Sequence, residues 1–343
     1  MDERNVMQEH ITSYSETAHK VRRFRKTVLL TICAVFFLIL VGGIVRMTGS
    51  GMGCPDWPKC FGMWIPPTVE SQLPENYQEI YADHGYGDTR FNAVKTWIEY
   101  VNRLIGVLIG FFAIGTFYVA WPLRRTKLSS VFWLSALGLF LIVVQGGIGA
   151  RVVHTNLAAH MISIHMFVAL ITLLVYISAY LIAFEKKPVL SFIGLRSRKS
   201  LVLWGGVVML LTLIQVILGT EVRGGIDAIS AELDGGSRET WIEKLGTVYS
   251  IHKYFYYAIV VTILYWSWLF WTYAGRNIRV RVAVRYMIGI LFAEILFGIS
   301  MHHFAIPAFL QPLHLLFAIS LFAIEFLLLF SVLCWFRFKE RMG

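Results

Sequence analysis

Eight separate apolar stretches, each long enough to cross a lipid bilayer, dominate this chain of 343 residues. A transmembrane helix needs about 18 or more mostly apolar residues in succession. Polar breaks place the eight stretches at roughly 28–45, 97–120, 131–150, 162–184, 201–219, 254–274, 283–303 and 312–336. The composition agrees, because 57% of the residues are hydrophobic and only 15% are charged. We therefore predict an all-α membrane protein with eight transmembrane helices.

The basic residues predict how these helices are oriented. Lysine and arginine beside a span are retained on the cytoplasmic side of the membrane. Most of the 31 basic residues lie before the first span, at 124–127, at 186–199, at 276–285 and after 336. This distribution places both termini in the cytoplasm. The first span has no A-x-A cleavage site after it, and acidic residues precede it, so we predict a retained helix of a bacterial inner membrane.

The formal net charge of +10 does not indicate nucleic-acid binding. The basic residues are confined to short flanks beside the spans, where membrane topology and anionic headgroups account for them. We therefore expect the protein to interact with the lipid bilayer and not with nucleic acid.

The second half of the chain resembles the first. When the segment 145–165 is laid over 294–314, three identities coincide: Gly149 with Gly298, His154 with His303, and His165 with His314. Earlier in each half, at an offset of 150, Asn102 falls in the place of His252. The chain is therefore predicted to form two tandem four-helix bundles related by an internal repeat. The predicted segments are 1–27 (cytoplasmic), 28–184 (first bundle), 185–200 (linker), 201–336 (second bundle) and 337–343 (tail).

Three histidines, His165, His252 and His314, lie near the predicted outer ends of spans 4, 6 and 8. Imidazoles from facing helices of a bundle can hold a haem between them, and we interpret His252 and His314 as such a pair. The alternative is that each histidine hydrogen-bonds the backbone or lines a polar crevice. Ionisable groups inside a membrane are costly and usually functional, which favours the haem interpretation.

Other polar residues at the same ends allow two interpretations each. Glu99 lies three residues before Asn102, on one helix face, and either accepts a proton at a reacting centre or forms a salt bridge with Arg103. His154 either approaches a haem or packs at the membrane rim. Cations that either pair with haem propionates or anchor helix ends are Arg46, Arg103, Arg151, Arg223 and Lys253.

A loop after the first span contains the sequence CPDWPKC, Cys54–Cys60. Thiols outside the cytoplasm tend to oxidise, and the two prolines between them favour a short closed loop, so we predict a disulfide. A metal site is the alternative, although no second cysteine pair accompanies this one.

Taken together, Gly43–Arg46 (GIVR), Thr48–Gly51 (TGSG), Cys54–Cys60 and Glu99–Arg103 (EYVNR) resemble the haem A synthase family. The resemblance covers all eight spans. It implies a membrane oxidoreductase that converts the C8 methyl of haem O, through successive hydroxylations, to the formyl group of haem A for terminal oxidases. It further implies that His252 and His314 ligate a haem b in the second bundle, that His165 ligates the substrate haem in the first, and that Glu99 is the catalytic acid. The disulfide loop would cap the substrate site.

One departure from the family pattern concerns the Glu-x-x-His-Arg motif, whose histidine is Asn102 here. An amide is a poor iron ligand, so we expect the substrate haem to be held by His165 alone or together with another group such as His154. The segment 220–251 also lacks the second cysteine pair of some members.

Two other functions compete with the synthase. One is a dihaem b-type electron-transfer protein, although Asn102 interrupts one of its ligand pairs. The other is a non-catalytic haem-binding factor of oxidase assembly, which tolerates a missing ligand. The partners that the resemblance implies are haem O, haem A, haem O synthase and terminal oxidase assembly proteins.

Overall fold

The computed structural model describes residues 3–87, 89–184, 195–233, 235–273 and 277–340. Within these ranges side chains are described except at 3–15, 184, 195–196 and 334–340. The predicted linker 185–200 therefore lies largely outside the described residues, and so does the end of the predicted tail.

Eight long α-helices make up most of the described chain. They are α1 (Glu3–Met47), α2 (Ala93–Ala120), α3 (Ser129–His154), α4 (Ala159–Phe184), α5 (Leu195–Glu232), α6 (Gly246–Tyr273), α7 (Ile278–His303) and α8 (Leu310–Glu340). Each contains a segment long and apolar enough to cross a membrane. The prediction of an all-α protein with eight membrane-spanning helices is therefore confirmed. Across the described ranges, β pairing is limited to an isolated bridge between Cys60 and Met63.

Several helices extend further than their apolar stretches predicted. Helix α5 continues to Glu232, well past the predicted end at 219, and α6 begins at Gly246 instead of 254. Hydropathy marks only the part of a helix that is apolar, whereas backbone hydrogen bonds continue into polar sequence. The predicted boundaries at these ends were therefore wrong.

Backbone contacts divide the chain into two compact units. The first comprises the described residues of 1–38, 104–147 and 168–186, and the second those of 39–103, 148–167 and 187–343. The first unit is held partly by small and polar contacts: the hydroxyls of Thr31 and Thr116 lie 2.8 Å apart. A Cβ added to Gly138 would lie 2.6 Å from the ring of Tyr176, so close packing requires glycine there. The internal repeat stays a prediction.

In the second unit α5 packs against α6 and α8, and α7 also packs against α6 and α8. The four helices thus form a closed bundle. A buried apolar cluster fills part of it and includes Leu201, Val208, Ile263, Trp266, Met287 and Leu328. The indole of Trp266 donates a hydrogen bond of 2.9 Å to the carbonyl of Leu201. His252, His314 and Glu294 lie on the same helices beyond this cluster, toward the predicted outer ends.

The loop between α1 and α2 belongs to the second unit and has a small core of its own. Phe61 makes edge-on ring contacts, with centroids 5.1–6.3 Å apart, to Tyr77, Tyr81, Tyr86 and Phe91. The hydroxyl of Tyr86 donates to the carbonyls of Met52 (3.0 Å) and Gly53 (3.2 Å). Burial raises the pKa of Tyr86, so this hydroxyl stays protonated and keeps donating. The loop is therefore a packed element.

Candidate functional site

Glu99 is a buried carboxylate near the start of α2, with only 4% of the residue exposed. Its Oε2 accepts a hydrogen bond of 2.8 Å from the backbone N–H of Cys54. Its Oε1 accepts from the Nε of Arg103 at 3.1 Å and also pairs with an Nη of that guanidinium. Both oxygens therefore have partners of complementary polarity, which a buried charge requires.

Arg103 lies one helical turn after Glu99, so the two side chains share a face of α2. Its guanidinium also donates to three carbonyls of the loop: Asp56 at 2.6 Å, Lys59 at 3.0 Å and Cys54 at 2.9 Å. A guanidinium carries five N–H donors in a fixed plane, and such a fan of contacts uses most of them. Arg103 thus binds the carboxylate and the loop at once.

The loop is closed by a disulfide between Cys54 and Cys60, as the sequence predicted. It approaches α2 so closely at Gly53 that an added Cβ would lie 2.5 Å from the carbonyl oxygen of Lys95. The hydroxyl of Thr96 donates to the carbonyl of Gly53 at 2.8 Å. The loop thereby covers the first turns of α2, where Glu99 lies.

Asn102 occupies the position at which the family motif has histidine. It lies three residues after Glu99, on the same side of α2. Its Oδ1 is buried and has no hydrogen-bond partner among the described residues. The departure noted in the sequence is thus a half-buried residue with a buried amide oxygen, less than one helical turn after Glu99.

His252 of α6 and His314 of α8 lie together in the second unit. Their ring centroids are 6.5 Å apart and the rings are nearly perpendicular. Nδ1 of His314 lies 2.9 Å from Oε2 of Glu294. The amide of Gln215 donates to the backbone carbonyl of His252 at 3.0 Å. Glu294 belongs to α7 and His314 to α8, so the packing of these two helices brings the carboxylate beside the imidazole.

The separation of these two imidazoles is close to that of two rings that share a haem iron. Two metal–nitrogen bonds of about 2 Å each, with the ring radii added, separate the centroids of opposed imidazoles by roughly 6 Å. The Nδ1 of His252 is buried and makes no hydrogen bond within the part of the chain that the structure describes. A Cβ at Gly219 would lie 3.3 Å from the ring of His252, so glycine leaves room for the imidazole.

His165 of α4 and His154 of α3 also belong to the second unit. The ring of His165 lies beside Gly149, where an added Cβ would be 3.6 Å from Cε1. His154 is exposed, and its ring centroid lies 6.2 Å from that of His84 in the loop. The sequence did not indicate the proximity of His84, because the loop must fold before the two rings meet.

Most of the basic residues predicted to meet haem propionates contact other side chains of this protein. Arg46 and Arg223 both pair with Asp227. The ammonium of Lys253 lies 3.2 Å from Nε2 of His302, and Arg151 is exposed. Sequence reasoning missed Asp227, although its position four residues after Arg223 on α5 was an available signal.

This fold defines a class: a multi-pass helical membrane protein that carries a histidine pair and a loop-covered carboxylate toward one end of its helices. Residues 25–326 match the family described as cytochrome oxidase assembly protein, and the chain belongs to this family.

Proteins named Heme A synthase are similar to this chain over nearly its whole length. Those of Brucella suis and Brucella melitensis are each 25% identical over 351 residues, which cover 92% of this chain and 93% of theirs. That of Brucella anthropi is 25% identical over 344 residues, with 89% and 91% covered. The family predicted from the loop and the Glu99–Arg103 motif is therefore confirmed.

Proposed function

We propose that this protein is a haem A synthase, an oxidoreductase that converts the C8 methyl of haem O to the formyl group of haem A and so supplies terminal oxidases. The observation that carries the proposal is the buried Glu99 carboxylate, fixed by Cys54 and Arg103 beneath a disulfide loop. Family membership and the names of the relatives support it.

The reaction needs a group that manages protons and positive charge at a methyl carbon. Each hydroxylation adds the oxygen of water and releases two electrons and two protons, and the gem-diol formed by the second one loses water to give the aldehyde. A fixed carboxylate can accept a proton from the attacking water or stabilise positive charge on the carbon. We assign this role to Glu99, while Arg103 holds the carboxylate and the loop in position.

The substrate haem is proposed to be held by His165. Asn102 does not replace the missing histidine, because a neutral amide offers iron no good lone pair. We propose His154 of α3 as a second ligand of the substrate haem iron. Haem propionates are proposed to pair with Arg46, Arg151, Arg223 and Lys253, in exchange for or beside their present contacts.

A haem b is proposed to bind between His252 and His314, where it would supply one-electron transfer. The carboxylate of Glu294 lies 2.9 Å from Nδ1 of His314. We propose that it accepts the Nδ1–H when haem binds, which would leave Nε2 available for the metal. The buried apolar cluster that includes Trp266 lies along the same helices.

We further propose the topology and partners of the enzyme. Both termini face the cytoplasm, and the protein resides in a bacterial inner membrane with its disulfide on the oxidising side. Haem O synthase and oxidase assembly proteins are the expected partners.

One observation favours a second candidate, a non-catalytic haem-binding assembly factor. The buried Oδ1 of Asn102 without a partner in the described chain stands where the family motif has a ligand. Such a protein would bind haem and release it unchanged.

Haem extraction from membranes that also contain a haem O source tests the proposal. We expect haem A with the wild type, none with Glu99→Ala, and wild-type amounts with the control Glu75→Ala, which removes an exposed loop carboxylate. Unchanged haem O from well-folded wild type would refute the synthase and favour the assembly factor. Haem A from Glu99→Ala would keep the synthase and remove Glu99 from its chemistry.

A further inference from the structure

A recess of about 480 Å³ opens in the second unit where α6 begins, and of the residues that line it Lys253 alone has a role in the functions proposed above. Its lining includes Ile242, Tyr249, Ser250, Lys253, Tyr254 and His302. Sites for small organic ligands are about 300–1,000 Å³ in volume. The recess is therefore large enough for one aromatic head group.

Three of the lining side chains form a chain of hydrogen bonds. The ammonium of Lys253 lies 3.2 Å from Nε2 of His302, and Nδ1 of His302 lies 2.7 Å from the hydroxyl oxygen of Tyr249. A lysine ammonium only donates, so Nε2 accepts and the ring hydrogen is on Nδ1. That N–H then donates to the oxygen of Tyr249, whose own O–H is left to donate into the recess.

The lining selects a neutral ligand with hydrogen-bond acceptors. Donors are supplied by Tyr249 and Ser250. The ammonium of Lys253 and the carboxylate of Glu243 line the recess with opposite charges, so the lining has no net charge that would favour an anion. Tyr254 adds an aromatic face and is 62% exposed. On the same helix Ile251 follows the lining residue Ser250 in the sequence and is 49% exposed, so α6 presents a further apolar side chain there.

We propose that this recess binds the head group of a bilayer quinone, which accepts the electrons and protons released by the oxidation proposed above. Its two carbonyl oxygens would accept hydrogen bonds from Tyr249 and its neighbours, and its apolar tail would extend along α6 into the bilayer. The recess shares α6 with His252, since Lys253 is the next residue. This inference depends on the proposed function.

The electrons and protons released by one hydroxylation match those needed to reduce one quinone. One hydroxylation oxidises the methyl carbon, takes its oxygen from water, and yields two electrons and two protons. A quinone that takes up both pairs is reduced to the quinol, so no other oxidant is needed. The Lys253–His302–Tyr249 chain supplies the proton donors next to the quinone oxygens.

Photolabelling of the purified full-length protein with an azido-substituted short-chain quinone tests the inference. We expect competable labelling of the segment 242–254 and about tenfold weaker quinone affinity in Tyr249→Phe and in His302→Gln. The first removes the hydroxyl donor, and the second removes the imidazole that orients this hydroxyl between Lys253 and the recess. The control Tyr286→Phe removes an exposed hydroxyl from α7 and should bind quinone like the wild type. Gel filtration and circular dichroism confirm that the variants fold.

Label away from both the segment 242–254 and His302, equal affinity in all variants, or displacement by anionic phospholipid instead of quinone would overturn the inference. A second measurement separates it from the proposed function: haem A formation in quinone-depleted membranes before and after quinone is added back. Haem A formed without quinone, together with unchanged affinity in the variants, removes only the quinone site. Normal quinone binding without any haem A removes the synthase instead.

Discussion

The backbone N–H of Cys54 donates a 2.8 Å hydrogen bond to Oε2 of Glu99, and so joins the disulfide loop to the carboxylate of α2. The residues are 45 positions apart in the sequence. Because a cysteine of the crosslink supplies the donor, changes in the loop should reach the carboxylate directly.

Replacing both loop cysteines, as Cys54→Ser with Cys60→Ser, should lower the free energy of unfolding by about 2 kcal/mol, the entropy expected from closing so short a loop. The control is Cys33→Ser, which removes an exposed free thiol. Thermal unfolding in detergent, with and without reductant, measures the effect. A double variant with the full stability of the wild type would contradict the prediction.

Arg103→Met should loosen the loop, because it removes donors to Asp56, Lys59 and Cys54 together. Hydrogen bonds from a charged donor contribute about 1.5–3 kcal/mol each, so protection of the loop amides from hydrogen exchange should fall by at least about tenfold. Arg124→Met is the control, since that guanidinium contacts Trp121 instead. Equal protection in both variants would show that the loop is held by its aromatic core.

Gly53→Ala should destabilise the protein by about 1–3 kcal/mol, because the added Cβ would lie 2.5 Å from the backbone of Lys95. Gly87→Ala is a matched control in the same loop, where the nearest atom is 3.8 Å away. Melting temperatures of the two variants provide the comparison. Similar melting temperatures would mean that the loop does not dock on α2 so tightly.

Asn102→His should add an iron ligand to the substrate haem, if His165 holds that haem. Protein loaded with haem O should then change from a high-spin to a low-spin absorption and paramagnetic resonance spectrum. Asn102→Leu has no ligand atom and should leave the spin state unchanged. A wild-type spectrum that is already low-spin would show that another residue, such as His154, completes the coordination.

Glu294→Gln should weaken haem binding about tenfold, because it removes the carboxylate 2.9 Å from Nδ1 of His314. The loss of a negative charge should also raise the reduction potential of the haem. Glu325→Gln is the control: this carboxyl is buried in the same bundle but accepts from Thr212 at 3.0 Å. Haem titration and redox titration compare the two, and identical curves would contradict the role proposed for Glu294 beside His314.

The sequence by itself determined the eight spans, the cysteine pairing and the family. Each depends on local information: the length of an apolar run, the spacing of Cys54 and Cys60, and short motifs such as Glu99–Arg103. The ends of α5 and α6 escaped prediction because helical hydrogen bonding continues where hydropathy fades.

Only the tertiary structure decided which polar groups meet. Glu99 meets Cys54, Glu294 meets His314, and Asp227 bridges Arg46 and Arg223. The salt bridge between Glu99 and Arg103 lies within one helix turn and was foreseen as an alternative, but the three loop carbonyls on Arg103 were not. Such pairs join segments far apart in the chain, and their geometry is set by how helices and loop pack, which no local pattern records.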